Sequence, residues 1–443
     1  MDGVSLLGDL VARARAAGAD VADAVLVSGT SLSVQRRMGR TEQLERSESR
    51  DLGLRVFVGK RQAIVASTTV DPAGFARLAE RAVAMARLVP EDPFGGLADE
   101  MHMPPDTPDL DIADDAEPPV EALVARANAA EETALAVHGI TNSEGADAGY
   151  GRTEVSLVTS AGFGGRYVRT NHSISVTALA GEGTGMERDY DYSSTVHYAD
   201  LDDPEALGRS AADRALARLN PTRPKTARIP VVFDPRVSSS LLGHLMGAIN
   251  GASVARGTSF LKDKLGQRIF APGIVVRDDP RRRRGLRSRP FDAEGVPTKA
   301  LDLIADGVLT SWVLDSRSAR QLGLRSTGHA GRGTSGPPSP GASNLCLMPG
   351  TVTPAELMAD IKEGLYITEM IGMGVNGLTG DYSRGASGFM IRNGALAEPV
   401  SGVTVAGSLP AMFLNMVPAN DLRLRRGTDA PTVRIEGLTM AGA

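Results

Sequence analysis

The stretch GMGVNGLTGDYSRGASGFMIRNGALAEPVSGVTVAG, residues 372–407, decides the fold of the C-terminal half of the chain. Glycine recurs every few residues and separates short apolar runs such as FMIRNG and VSGVTVAG, a pattern typical of short strands joined by tight turns. The same pattern fills residues 226–443, where helix signals are few: residues 238–249, PAELMADIKEGLY and LDSRSARQLG. Many short strands punctuated by glycine predict a β-rich, barrel-like domain.

The first six residues of this stretch, Gly372 to Gly377, match the G-x-G-x-x-G pattern of dinucleotide-binding loops. Such a loop must be followed by a helix, whose N-terminus meets the pyrophosphate. Gly380, Gly385 and Gly388 follow in quick succession, so no stable helix is expected there. We therefore interpret the segment as a glycine-rich loop that packs closely against other backbone. Its exposed backbone groups can also bind a peptide by strand addition.

The N-terminal half has one order of elements twice: helix, antiparallel strands, helix. Residues 1–89 begin with an amphipathic helix, continue as several short strands of period two, and end in a helix capped by Asp71. Residues 120–225 follow the same order without an aligned sequence repeat. Residues 90–119 are rich in Pro and Asp and show no period, which predicts a linker. The fold class is thus predicted to be α+β, with two N-terminal α/β units before the barrel-like domain at 226–443.

The composition argues against several classes of function. The 443 residues carry a net charge of −5, which disfavours nucleic-acid binding. Seven arginines cluster from Arg277 to Arg289, but two aspartates lie among the first of them, and we interpret the run as a solvated loop. The single Cys346 excludes an internal disulfide, and its two leucine neighbours predict a buried, unreactive thiol. No apolar run reaches the ~18 residues of a membrane span and the N-terminus is not a signal peptide, so we expect a cytoplasmic protein.

The sequence offers no local signature of a hydrolytic site. G-x-S-x-G does not occur, so the nucleophile elbow of α/β-hydrolases is not predicted. None of the six histidines is followed by Glu, and no two lie four or five residues apart, so no local zinc motif exists. VSSSLLGHLMGAI, residues 237–249, is typical of an apolar helix with one histidine, His244. From the helix alone, a hydrogen-bonded structural role is expected for that imidazole.

Several blocks resemble the TldD/PmbA family, in its PmbA (TldE) branch. The resemblance is dense over residues 226–443 and looser before them, where RTEQLERSESRDLGLRVFVGKRQAIVAST still fits. In this family the TldD-type subunit is a metallopeptidase with a helix motif His-Glu-x-x-x-His and a late cysteine ligand. The TldE-type subunit lacks these residues and pairs with TldD in a heterodimer that acts on peptides. The blocks are residues 372–407, GTSFLKDKLGQRIF, RPFDAEGVPTKALDLIADGVLTSWVLDSRSARQLG, STGHAG, ANDLRLRRG and PTVRIEGLTMAG.

The resemblance places the family's metal helix on SSSLLGHL. His244 then occupies the position of the second histidine, while Ser239 replaces the first histidine and Ser240 replaces the glutamate. The late cysteine is missing after ANDLRLRRG. Serine replaces neither an imidazole as zinc ligand nor a carboxylate as general base. The resemblance therefore implies that this chain has no catalytic residue and no metal of its own, with zinc expected in a TldD-like partner.

Such a subunit would complete the cavity, shape the peptide channel and stabilise its partner. We expect contacts to peptide or partner from the loop between Gly372 and Gly388; the candidates are Gly374, Asn376, Thr379, Gly380, Asp381, Ser383 and Arg384. An alternative is that Asp381 and Arg384 simply pair and fix a turn. Two other functions stay open: a homodimer that binds or scaffolds peptides without a protease partner, and a self-sufficient hydrolase that uses residues outside any recognised motif.

Overall fold

The computed structural model of the protein describes residues 2–102 and 109–442. In the N-terminal half, strands of both predicted units join in one antiparallel sheet, in which Val25 lies opposite Leu157. Its order is β3-β2-β1-β4-β5-β6. The strands are β1 Val21–Arg37, β2 Arg40–Val58, β3 Arg61–Ser67, β4 Ile140–Thr159, β5 Gly164–Ala180 and β6 Glu187–Thr195.

Helices cover one face of this sheet and confirm the predicted order of helix, strands and helix in each unit. Residues of β1 alternate between the two faces, as expected for a strand: Ala24 and Leu26 pack with the helices, whereas Asp23 and Val25 face the other way. The helices are α1 Gly3–Ala16, α2 Phe75–Ala86, α3 Val120–Leu135 and α4 Pro204–Ala217, and 3-10 turns span Pro72–Gly74, Gly183–Gly185 and Tyr198–Asp200.

The prediction of several short strands within residues 1–89 is wrong in its lengths. Polar residues and glycine divide this part of the sequence into short apolar segments. In the structure these segments are joined into the two long strands β1 and β2. Gly29 stays within β1 because it pairs with Ser49 on one side and Thr153 on the other. Residues 90–102 and 109–119 hold no helix or strand, and residues 103–108 of the predicted linker lie outside the described residues. The domain boundaries themselves stay predictions.

The C-terminal half is β-rich, with short helices between its strands. The strands are β7 Ala227–Phe233, β8 Val276–Asp278, β9 Leu301–Ala305, β10 Val308–Leu309, β11 Ala330–Gly331, β12 Ser339–Pro340, β13 Leu345–Leu347, β14 Glu363–Ile371, β15 Asp381–Arg392, β16 Ala395–Ser408, β17 Met416–Pro418, β18 Thr428–Asp429 and β19 Val433–Ala441. The helices are α5 Pro235–Ala248, α6 Gly251–Ala255, α7 Ser316–Leu322, α8 Pro354–Met358 and α9 Leu409–Leu414.

Five of these strands close into a barrel in the order β16-β15-β14-β7-β19, because β16 pairs again with β19, Val405 opposite Met440. The predicted α+β fold with a barrel-like C-terminal domain is therefore confirmed. A second sheet has the order β10-β9-β8-β13-β18, and α5 contacts both this sheet and the barrel. The predicted helix in PAELMADIKEGLY ends at Met358, since residues from Glu363 onward pair with β15 as the strand β14.

A buried ion network joins the N-terminal sheet to the C-terminal half. The carboxylate of Asp23 on β1 accepts hydrogen bonds from Nε of Arg55, at 2.9 Å, and from Nη1 of Arg332, at 2.6 Å. Burial by itself raises the pKa of Asp23, but the two guanidinium groups hold it below its usual value. Gly53 on β2 packs directly against the backbone of Thr334, where a Cβ atom would overlap the Thr334 carbonyl oxygen. The two halves are thus in close backbone contact.

Within the part of the chain that the structure describes, no helix combines the length and apolarity that crossing a membrane requires.

Candidate functional site

Helix α5, the predicted position of the metal helix, starts directly after barrel strand β7. Asp234 caps it by accepting a hydrogen bond from the backbone N–H of Arg236, at 2.9 Å, and Pro235 occupies the first turn. Its buried face includes Leu241 and Leu245. The Ser238 hydroxyl donates to the carbonyl oxygen of Pro431, at 2.8 Å. Capping fixes where α5 begins, and packing fixes its rotation about its own axis. Together they determine the direction in which Ser239, Ser240 and His244 project.

Ser240 and His244 lie one turn apart on α5, and each has a buried polar atom that finds no hydrogen-bond partner in residues 2–102 and 109–442: Oγ of Ser240 and Nε2 of His244. Ser239 is half-buried beside them. Burial lowers the pKa of His244, and the positive charge of Arg384 lowers it further, so the imidazole is neutral near pH 7. The hydrogen-bonded structural role expected for His244 is wrong at Nε2, because its ring instead packs edge-to-face on Tyr382, with centroids 5.8 Å apart.

The predicted loop between Gly372 and Gly388 is wrong in its second half. Residues 372–380 form a turn, but β15 begins at Asp381 and pairs on both sides, with β14 and β16. A strand follows the G-x-G-x-x-G pattern where a dinucleotide site needs a helix. Glycine permits the turn at residues 372–380 because it has no side chain. The apolar residues of β15 pack in the core of the C-terminal half, which keeps this segment in the barrel as a strand. Asp381, Ser383 and Arg384 are therefore strand residues.

Local hydrogen bonds within the turn account for most of the predicted contact residues. Asn376 Oδ1 accepts from the backbone N–H of Leu378, at 2.9 Å, and Thr379 Oγ1 donates to a carboxylate oxygen of Asp381, at 2.6 Å. Gly380 has φ +80°, where a Cβ atom would also contact Pro410. These groups stabilise the turn.

Two further residues hold the turn onto β15. The backbone N–H of Ser383 donates to the carbonyl oxygen of Gly374, at 2.7 Å, so closely that Gly374 has no room for a side chain. Arg384 Nε donates to the carbonyl oxygen of Gly372, at 2.9 Å. Within the described residues Arg384 and Asp381 form no ion pair, so the alternative in which they pair with each other is wrong. Each fixes the turn separately.

A cavity of about 290 Å³ brings Ser240 and Arg384 together. Thr368 on β14 also lines it, and the hydroxyl of Thr368 is a further buried group without a partner. Ser240 and Thr368 thus offer two free hydroxyls to whatever enters, beside the guanidinium group of Arg384. The other lining residues are Arg188, Asp189, Tyr190, Arg218, Arg236, Val237, Glu369 and Met370.

Sequence reasoning missed the ion pairs around this cavity. Arg236 pairs with Asp189 at 2.5 Å, and Arg218 pairs with Glu369 at 2.6 Å. These pairs join α5 to β6 and the C-terminal end of α4 to β14, so each connects the N-terminal half to the C-terminal half. The alternation of acids and tyrosines in ERDYDY is the one local signal that charged side chains share a face of β6. Their partners are far away in the sequence and carry no signal.

The side chains at the metal-helix position do not fit a zinc site. They provide one imidazole and two hydroxyls, with Arg384 close enough to depress the imidazole pKa. Zinc in proteins takes Cys, His, Asp or Glu ligands, and a nearby guanidinium group repels it. No group of three or more such ligands with suitable geometry occurs in residues 2–102 and 109–442. The absence of zinc from this chain stays a prediction.

Comparison with known proteins gives matches along almost the whole chain. Residues 22–86 match PmbA/TldA metallopeptidase domain 1, residues 113–219 the central domain, and residues 226–442 the C-terminal domain of that family. Metalloprotease PmbA of Escherichia coli O157:H7 is 38% identical over 96% of this chain and 92% of its own length. The PmbA homolog of Haemophilus influenzae is 32% identical over 95% of this chain and 92% of its own length.

Solved structures share the fold over the full length. A protein from Bacteroides thetaiotaomicron, described as a candidate modulator of DNA gyrase, superposes with a TM-score of 0.91 at 27% identity, covering 99% of this chain and 98% of its own. TldE from Thermococcus kodakarensis superposes with a TM-score of 0.88 at 19% identity, covering 99% of this chain and 100% of its own. At that identity the second match concerns the fold alone.

Proposed function

Because the chain belongs to the PmbA/TldD metallopeptidase family, in its PmbA/TldE branch, we propose that it is the subunit without metal in a cytoplasmic peptidase complex. A TldD-like partner would hold the zinc and the general base, and the complex would cleave peptides or unfolded protein segments. One feature supports the proposal above all: on α5, where the resemblance places the family's metal helix, Ser239, Ser240 and His244 offer one imidazole and two hydroxyls in place of a zinc ligand set.

The cavity beside α5 supports a role for this chain in holding the peptide. The hydroxyls of Ser240 and Thr368 are buried and without partners, so each can hydrogen-bond a peptide carbonyl or N–H group. Arg384 adds a positive charge that attracts an acidic group or a carbonyl oxygen. This chain would therefore orient the substrate while the partner carries out hydrolysis.

The turn before β15 supports the pairing with a partner subunit. Met373 is 91% exposed, and Ile371 and Leu378 are also exposed apolar side chains on the same short segment. Large apolar side chains that protrude from one turn are typical of protein–protein contacts, which place such residues in partner pockets. Since the turn is fixed to β15 through Arg384 and Ser383, it would present these side chains in one orientation.

Co-expression with a TldD-like subunit tests the proposal. We expect a 1:1 complex on size-exclusion chromatography, with zinc in the complex, no zinc in this chain alone, and peptide cleavage only by the complex. Met373→Asp should weaken the complex at least about tenfold, because a desolvated charge would enter an apolar contact. Leu88→Asp is the matched control: Leu88 is 87% exposed but lies beyond α2 in the N-terminal half.

Each other outcome selects a different function. Near-stoichiometric zinc bound to the isolated chain and lost in His244→Gln would contradict the assignment of the metal to the partner. A stable homodimer that binds peptide but no TldD-like subunit would favour the scaffolding protein. Chelator-resistant cleavage by the isolated chain would favour the self-sufficient hydrolase.

A further inference from the structure

A second cavity, of about 450 Å³, lies between the N-terminal sheet and the C-terminal half. It is separate from the cavity beside α5, and the two share no lining residue. Its volume is within the range of sites for small organic molecules, roughly 300–1,000 Å³. Residues of both halves line it, so it exists only because the sheet and the C-terminal half pack together.

One wall of this cavity is the sheet face turned away from the helices. Val25 and Val27 of β1 lie opposite Leu157 and Val155 of β4, and Val155 lies opposite Tyr167 of β5. These residues alternate along their strands, so their side chains share one face. Phe291 of the C-terminal half adds an aromatic ring edge-to-face with Tyr167, with centroids 5.4 Å apart. The wall can therefore hold an apolar group about the size of a side chain.

The remaining lining is strongly basic. Arg169 of β5 and three residues of the C-terminal half, Arg287, Arg289 and Arg332, reach the cavity. Within the described residues Arg169, Arg287 and Arg289 form no ion pair with a carboxylate. Nε of Arg289 is buried and has no hydrogen-bond partner in the part of the chain that the structure describes. Arg169 and Arg287 are exposed, and Nη1 of Arg287 donates to Oγ1 of Thr428, at 3.2 Å, so the buried Nε of Arg289 is the group of these three that most needs a hydrogen-bond acceptor.

Arg332 is the most buried of the four. Its side chain is 3% exposed, and its Nη1 donates to Asp23 at 2.6 Å while its Nε has no partner. The acid that lines the cavity, Asp292, does not neutralise these charges by direct pairing. Its oxygens accept from the backbone N–H groups of Val296 and Ala330, each at 3.0 Å, and of Glu294, at 2.9 Å. The cavity thus combines an excess of positive charge with an apolar wall.

We propose that this cavity binds a small organic carboxylate with an apolar body. The carboxylate would accept paired hydrogen bonds from the guanidinium groups of Arg289 and its neighbours, a geometry that arginine provides better than lysine. The apolar body would pack on Val27, Val155 and Phe291. Two sources share this chemistry: a free aliphatic or aromatic acid, and the C-terminal residue of a peptide. The proposal is independent of the function proposed for the cavity beside α5.

Isothermal titration calorimetry on the full chain tests the site. The probes are 3-phenylpropionate, the peptide acetyl-Ala-Ala-Phe with a free carboxylate, and the same peptide as its C-terminal amide. We expect saturable binding of at least one acid and none of the amide. Arg289→Gln and Arg169→Gln should each weaken binding about tenfold or more, because each removes charged hydrogen-bond donors. Arg256→Gln is the matched control, an exposed arginine that does not line the cavity.

The outcomes distinguish a free acid from a peptide C-terminus as the ligand, and they define the results that overturn the proposal. Binding of phenylpropionate alone assigns a free acid, and tighter binding of the peptide acid assigns a peptide C-terminus. The proposal is overturned if neither acid binds at millimolar concentration, if the amide binds as tightly as the acid, or if Arg256→Gln weakens binding as much as Arg289→Gln. Thermal melting of each variant checks the fold, and Arg169→Gln alters an exposed side chain, so a folded variant is available.

Discussion

The imidazole of His244 on α5 lies edge-to-face on the phenol ring of Tyr382 on β15, with ring centroids 5.8 Å apart. This contact connects α5, on which the resemblance places the family's metal helix, to the glycine-rich strand of the barrel. Both rings are in an environment that disfavours charge: burial lowers the pKa of His244 and raises that of Tyr382 to about 12. His244 and Tyr382 therefore form an uncharged aromatic pair near pH 7.

The first prediction concerns the charge of Arg384 beside this pair. Arg384→Gln should raise the pKa of His244, because it removes a nearby positive charge, yet leave it below about 6.5, since burial is the larger cause of the shift. Histidine ring signals followed by NMR from pH 4 to 8 measure this, with His244→Gln identifying the signal. An Arg384→Gln variant whose His244 titrates as in the unmodified protein would contradict the electrostatic contact; Arg256→Gln is the control.

The second prediction concerns pH and stability through His172. This imidazole is fully buried, and neither ring nitrogen has a hydrogen-bond partner among the described residues. Burial lowers its pKa although a carboxylate oxygen of Asp114 lies 3.4 Å from Nε2 and favours the charged form. The unfolded chain binds a proton near pH 6.5, whereas the folded chain resists it until lower pH. The contribution of His172 is thus present above about pH 6.5 and lost as the pH falls toward its folded pKa.

Urea unfolding at pH 7.5 and at pH 5.5 measures this effect. His172→Leu should reduce the loss of unfolding free energy between the two pH values, whereas His138→Leu, at an exposed histidine, should not. An equal pH dependence in His172→Leu and the unmodified protein would assign the loss to other groups.

The third prediction compares two glycines. Gly53→Ala should destabilise the protein by roughly 1–3 kcal/mol, because its Cβ atom would overlap the Thr334 carbonyl and separate the sheet from the C-terminal half. Gly243→Ala, in α5, should stabilise it by about 1 kcal/mol, since the position is exposed and open and alanine favours helix. Chemical denaturation measures both variants, and a neutral Gly53→Ala would show that the two halves adjust to each other freely.

The fourth prediction concerns the single thiol. Cys346 is 8% exposed in β13, and burial raises its pKa. The thiolate is the reactive form, so the native protein should react with an aromatic disulfide reagent at least about tenfold more slowly than the urea-unfolded chain. Because the chain has one cysteine, the absorbance change reports this site alone. Equal rates in the native and unfolded protein would mean that β13 opens readily.

Much of the fold was predictable because its signals are local. The period of apolar residues and the apolar face of α5 lie within a few neighbouring residues, although the helix predicted from residue 238 begins at Pro235, after its cap Asp234. Strand lengths were less predictable: Gly29 resembles a turn residue, but pairing on both sides keeps it in β1. The same applies to Asp381, which the sequence placed in a loop and the barrel places at the start of β15.

In the candidate site, too, only the residues with a local signal could be predicted from the sequence. The sequence identified Ser240 and Arg384 separately, one by family resemblance and one as a polar residue among glycines, and both line the cavity beside α5. It did not identify Thr368 or Arg236, because nothing in their immediate neighbours distinguishes them from other strand and helix residues, and the ERDYDY alternation indicates only that Asp189 lies on a charged strand face. Their roles arise from partners on other elements.

By itself the sequence determined the fold class and the family, and it predicted that serines stand in place of the metal ligands on α5. These depend on which residues occur and on their spacing along one segment. Only the tertiary structure decided which side chains come together. His244 packs on Tyr382, Ser240 and Arg384 line one cavity, and the second cavity is lined both by arginines and by Val25, Val27 and Val155 of the sheet. The physical reason is that such contacts depend on strand register and on how the two halves pack, which no local pattern encodes.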